Sequence, residues 1–303
     1  MIKLYNKMGC SNETPVDKPS DKNKGYPLCR FTNSLKVEVN SILALNPNVL
    51  ILGGENELLL FNLTTNDFSV ISNEYKGNIY CLIKTPKGHV ISGGHDKMIR
   101  IWDIENKKCI NSLEGHTSTI WDIKYVGNDK LISGSDDDTS LIWDLKNNTH
   151  ELLFKGKKHI SSIVLLDNNK VLLAAGNNII LFDINTKEQL SVLDVSVWSL
   201  KLLKNGTVAA GLGKGILNIL EITDEILVKL EFKKGHSKAV NLVIELENNK
   251  LVTYSDGNDD LILWDVNEPE STYLIKGHTK HVKGLCLIEG NKFASVSSDK
   301  IKS

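Results

Sequence analysis

The chain has 303 residues, 41% of them hydrophobic, and sets 36 lysines and arginines against 37 acidic residues for a net charge of −1. A chain of this size buries roughly three quarters of its unfolded surface, so it needs no staples, and its near-neutral charge offers no field to draw it to nucleic acid or an anionic membrane. Five cysteines, at 10, 29, 81, 109 and 286, never form a Cys-x-x-Cys pair, which argues against a zinc cage or disulfide framework and fits a reducing compartment.

In chain order, Ile2–Asn6 reads as a short strand. Residues 7–26 are rich in Lys, Asn, Asp, Pro and Ser, and a disordered surface loop is expected there. Strand character returns at Pro27–Thr32. From Val39 onward each unit holds four short β-rich runs separated by turn residues, as in Ile120–Tyr125, Lys130–Gly134, Ser140–Asp144 and Glu151–Phe154. No apolar run approaches the length of a membrane span and the first residues lack a secretion signal, so a soluble, cytoplasmic protein is expected. The sequons at Asn12, Asn62, Asn147 and Asn205 then carry no weight.

Three segments end in Trp-Asp: Ile99–Asp103, Ser140–Asp144 and Leu261–Asp265. The tryptophan position recurs as Phe61, Trp102, Trp143, Phe182, Leu220 and Trp264, at steps of 41, 41, 39, 38 and 44 residues. That period is the size of one propeller blade. Seven inner-strand candidates follow: Val39–Leu45, Ile79–Lys84, Ile120–Tyr125, Ile160–Leu165, Val197–Leu202, Val240–Glu245 and Val282–Leu287. The predicted fold is all-β, a seven-bladed β-propeller of four-stranded blades forming one domain over residues 1–303. The seventh unit stops before any tryptophan, so Ile2–Asn6 and Pro27–Thr32 are expected to supply its outer strands and close the ring.

Gly115-His116, Gly235-His236 and Gly277-His278, each four residues before an inner strand, together with the Trp-Asp endings, resemble the WD-repeat family. The resemblance covers the chain, is specific in blades two, three, six and seven, and is degenerate in one, four and five. It implies a hydrogen-bonded tetrad within a blade, and blade three offers His116, Ser133, Asp137 and Trp143. Blade two keeps Trp102, Ser92 and Asp96 but is read as having Gly77-Asn78 in place of the Gly-His pair. In blade six Asp256 and Asp259 compete for the acid beside Trp264, Thr253 and His236.

Several constellations invite chemistry. His116, Ser133 and Asp137 have the composition of a nucleophilic triad, but sets repeated per blade and buried between strands fit a structural role, and no catalytic residue is assigned. Asp136–Asp138 reads as a turn rather than a metal site, and Gly211–Gly215 leads into a strand, not into the helix a phosphate loop needs. Acylation at Gly9 and Cys10 would require initiation at Met8. No metal or cofactor is expected.

The second residue of each inner strand is Asn40, Tyr80, Trp121, Ser161, Trp198, Asn241 or Lys283. The family resemblance implies that this position surrounds the mouth of the central channel, where peptides dock, which makes Tyr80, Trp121, Trp198, Asn241 and Lys283 candidate partner-binding residues. The alternative for each aromatic is packing on the neighbouring blade. Lys283 and Asp122 are candidate charge selectors at the rim. The function expected is a non-enzymatic scaffold or adaptor, monomeric by itself, whose partners are proteins or peptides, or a multi-subunit complex of them, with neither nucleic acid nor membrane among them. The alternative is a substrate-receptor or ubiquitin-binding component of a degradation complex, against which stands the absence of arginine two residues after each Trp-Asp, where Glu105, Lys146 and Asn267 lie.

Overall fold

A computed structural model describes residues 2–6, 28–33, 38–167, 169–232, 235–255, 260–269 and 272–298. The loop expected over 7–26, the acylation candidates Gly9 and Cys10, and Asp256 and Asp259 lie outside the described residues. Among the described residues, 28 strands form seven four-stranded antiparallel sheets. No helix among the described residues is long and apolar enough to cross a membrane.

Six sheets are simple meanders, each running from an inner strand outward. The seventh is composite. Its order from outside to inside is Leu28–Asn33, Ile2–Asn6, Lys292–Ser297, Val282–Glu289. Ile2 pairs with Val296 and Leu4 with Ala294, so the ring is closed by strands from opposite ends of the sequence. A closed ring removes the two open flanks that an array of sheets would otherwise present.

The core follows from strand position. Second strands such as Val171–Ala175 are buried on both faces, which is why they read as unbroken apolar runs, whereas an outer strand such as Lys108–Leu113 alternates. The buried apolar side chains fall into seven clusters, and each spans two neighbouring blades. Ile91, Ile99 and Ile101 of blade two, for example, pack on Ile120, Ile123, Leu131 and Trp143 of blade three. Ile2, Ala294 and Val296 do the same against Val39, Leu50 and Leu52 across the closure. Each such side chain contributes about 1.5–3 kcal/mol by leaving water.

Polar ties add register between blades. The third residue of an inner strand reaches the next blade's inner strand: Ser41 Oγ donates to the Ile79 carbonyl at 2.7 Å, Ser199 Oγ donates to the Val240 carbonyl at 2.7 Å, and Ser162 Oγ accepts from Leu200 N at 3.1 Å. Asp122 belongs to this set. Its Oδ2 accepts from Ile163 N at 2.7 Å, and its Oδ1 accepts from Lys124 Nζ at 2.6 Å. The expectation that Asp122 selects charge at the rim is therefore corrected: its carboxylate is already consumed in joining blades three and four.

The acid of the Trp-Asp ending is a turn residue. Asp144 Oδ1 accepts from Lys146 N at 2.9 Å and Asn147 N at 3.0 Å, and Asp183 Oδ1 accepts likewise from Asn185 N and Thr186 N. These amide donors hold both carboxyls below the usual range.

Candidate functional site

Within blade three, Trp143 Nε1 donates to Ser133 Oγ at 2.7 Å, the same oxygen lies 2.6 Å from His116 Nε2, and His116 Nδ1 lies 2.8 Å from Asp137 Oδ2. Asp137 also accepts from Thr117 N and Thr139 N. The carboxylate takes a proton donor at Nδ1, which leaves Nε2 to accept from the serine. Burial lowers the His116 pKa against the pull of Asp137, so the ring stays neutral. For Asp137, burial alone would raise the pKa, but the hydrogen bonds from Thr139, Thr117 and His116 outweigh it and the carboxyl stays ionised. Ser133 is fully buried and already engaged by two rings, so no substrate carbonyl can reach its hydroxyl.

The same hydroxyl position governs every blade. Blade six joins Trp264 Nε1 and His236 Nε2 to Thr253 Oγ1, both at 2.7 Å, and blade seven joins His278 Nε2 to Ser295 Oγ at 2.5 Å. Blades one, four and five carry Leu52, Leu173 and Ala210 there, and their tryptophan positions hold Phe61, Phe182 and Leu220, none of which has an N–H or O–H to offer. The hydroxyl appears only where rings can satisfy it, as expected when a half-satisfied buried network costs more than an apolar core. The glycine of Gly-His has its own reason: a Cβ on Gly115 would lie 2.7 Å from the Trp143 ring, and one on Gly235 2.3 Å from the Trp264 ring.

Blade two corrects the sequence expectation. The residue four before Ile79 is Tyr75, and it, not the Gly77-Asn78 pair, takes the histidine's place: its hydroxyl lies 2.5 Å from Ser92 Oγ, which accepts from Trp102 Nε1 at 3.0 Å. A phenol has no second donor for the acid. Arg100 supplies it by a short ion pair with Asp96, with its guanidinium 4.8 Å from the Tyr75 ring centre. Burial pushes the Tyr75 phenol up, so it remains protonated.

At one end of the channel the second residues of all seven inner strands come together. Each strand carries a β-bulge at this point: pairing skips Asn40, Tyr80, Trp121, Ser161, Trp198, Asn241 and Lys283 in turn. A bulged residue leaves the ladder and its side chain is re-aimed. All seven line one cavity of about 470 Å³. Asp136, His159, Leu242 and Val282 also line it and were not singled out from sequence, Asp136 because it was read only as a turn carboxylate.

Two of the candidate aromatics are packed against each other as well as facing the cavity. Tyr80 and Trp121 have ring centres 4.5 Å apart at 33°. The Tyr80 hydroxyl accepts from Asn78 Nδ2 at 3.0 Å, and Asn78 Oδ1 accepts from Asn40 Nδ2 at 3.1 Å. Trp121 Nε1 donates to Asp136 Oδ1 at 2.6 Å. Trp198 is 42% exposed and lies 5.6 Å from the His159 ring. Lys283 is exposed on blade seven. No group of three or more candidate metal-binding side chains occurs among the described residues.

The repeat described as WD domain, G-beta repeat matches residues 69–103 and 107–144. Each match begins at the outer strand of one blade, within it at residue 69 and one residue before it at 107, and ends at the Trp-Asp of the next, so the sequence unit straddles two sheets. Among curated proteins, the chain is 28% identical to Cell division control protein 4 of Saccharomyces cerevisiae over 238 residues, covering 75% of this chain and 28% of that one. It is 24% identical over 201 residues to the p21-activated protein kinase-interacting protein 1-like of Danio rerio, covering 64% and 54%. It is 27% identical over 88 residues to the THO complex subunit 6 homolog of Danio rerio, covering 28% and 27%. The aligned part thus spans between about a quarter and about half the length of these relatives. The matched repeat and the seven four-stranded blades built on it show that the chain belongs to the WD40-repeat family, as a seven-bladed β-propeller.

Proposed function

We propose that the protein is a non-enzymatic interaction scaffold or adaptor that binds a peptide or partner subunit at the mouth formed by the bulged residues. The observation that carries this reading is the division of labour among the five tryptophans. Trp102, Trp143 and Trp264 are buried and donate to hydroxyls inside their blades, whereas Trp121 and Trp198 lie at the cavity, outside those networks. Aromatic side chains with few rotamers and a polar tip are the usual anchors of an interface. The names of the relatives point the same way, one being a complex subunit and another a kinase-interacting protein.

Affinity capture with mass spectrometry, comparing the native protein with a folded Trp121→Ala, Trp198→Ala variant, tests it. A partner lost only from the variant is the expected result. An unchanged set of partners would remove the mouth as the docking site.

A further inference from the structure

We propose that the mouth receives a lysine or arginine side chain of an extended peptide, seated against Trp121 and Asp136 on blade three, while an acidic group of the same peptide faces Lys283 on blade seven. This rests on the mouth being the docking site and specifies the chemistry of its occupant.

The charge argument begins with one carboxylate. Asp136 accepts the Trp121 indole N–H through Oδ1, and its Oδ2 has no hydrogen bond or ion pair among the described residues. The indole therefore fixes the carboxylate's orientation and leaves one oxygen available at the cavity. Donation to a carboxylate also enriches the ring's electron density, which favours a cation against its face. An arginine fork or a lysine ammonium can meet the oxygen and the ring together. An anionic group placed there would face repulsion instead.

The rest of the lining selects for a polar, extended guest. Among the described residues the exposed Trp198 indole N–H has no hydrogen-bond partner and Lys283 forms no ion pair. An apolar guest would dry these groups without pairing them, a penalty that a peptide's carbonyls and amides avoid. Asp136 and Lys283 stand on non-adjacent blades, so the charges they prefer belong to different residues of the guest. The Asn40–Asn78–Tyr80 relay holds the aromatic floor in place before binding, which limits the ordering that binding requires.

The test is selection of a random hexapeptide library on the immobilised full-length chain, followed by affinity measurement of the best peptide. Enrichment of lysine or arginine is expected. Replacing that residue of the peptide by norleucine, or Asp136→Asn in the protein, should each weaken binding roughly tenfold, and Lys283→Ala should weaken selection for the acidic residue. Peptides that lack a basic residue, yet are lost with Trp121→Ala, Trp198→Ala, would overturn the charge assignment while leaving the mouth as the site. Peptides indifferent to that double variant, or no selected peptide at all, would overturn both. The norleucine peptide decides the matter even if Asp136→Asn fails to fold.

Discussion

The hydroxyls of Tyr75 and Ser92 meet at 2.5 Å in the interior of blade two, where blade three places His116 against Ser133. The exchange of imidazole for phenol is coupled to a second exchange, because Arg100 stands where blade three has Leu141 and takes over the acid that a histidine would have served. Arginine occurs in the sequence only at positions 30 and 100. Arg100→Leu alone is expected to destabilise the protein by about 3 kcal/mol, since it strands the buried Asp96 carboxylate. Adding Tyr75→His should recover most of that loss. Urea unfolding of the two single variants and the double variant measures the coupling; simple additivity would show that Tyr75 and Arg100 are independent.

Acid should weaken blade six. Burial, outweighing the hydrogen bond with Thr253, lowers the His236 pKa to about 4. In the unfolded chain the same ring takes a proton near pH 6.5. Between those values the unfolded state binds more protons, so stability is fully present above about pH 6.5 and falls as pH drops toward 4, by up to about 3 kcal/mol. Denaturant midpoints from pH 7 to pH 4.5 should slope more steeply for the native protein than for His236→Gln. Parallel slopes would mean that this ring is protonated in the folded state as readily as in the unfolded one.

Tryptophan fluorescence separates the two classes of indole. Trp102, Trp143 and Trp264 are all but inaccessible, while Trp198 is exposed and Trp121 half-buried. Acrylamide should quench only part of the native emission, and Trp121→Phe, Trp198→Phe should abolish most of the quenchable part without moving the melting temperature by more than a few degrees. Uniform quenching of all five would contradict the placement.

Removal of residues 1–6 is expected to lower the melting temperature by more than about 10 °C, because it deletes a strand paired on both sides and the fully buried Ile2. A melting curve unchanged by the deletion would show that the seventh blade stands without its borrowed strand.

Much of this architecture could be read in advance because a blade repeats its own constraints. The seven inner strands, the period carried by Phe61 to Trp264 and the closing role of Ile2–Asn6 all depend on local pattern. Tyr75 was legible too. It lies four residues before its inner strand, as His116, His236 and His278 do, but no glycine precedes it, and the glycine nearest that strand is Gly77. Asp122 was not legible, since its partner, the Ile163 amide, is 41 residues away on another blade. The seven mouth positions were placed by family resemblance, and their shared physical cause, a bulge after the first residue of each inner strand, is visible only in the pairing register.

The strand that closes the ring also sets a clock. Ile2 pairs with Val296, so it leaves the ribosome roughly 15–60 s before its partner at about 5–20 residues per second. Throughout that interval Ile2–Asn6 can pair with Leu28–Asn33 on one side only, and every newest sheet presents an open flank. Blades can settle against their predecessors as they emerge, yet the circle completes only after synthesis of the final sheet. Co-translational assembly therefore leaves a window in which chaperones, or a premature partner strand, compete for the same vacancy.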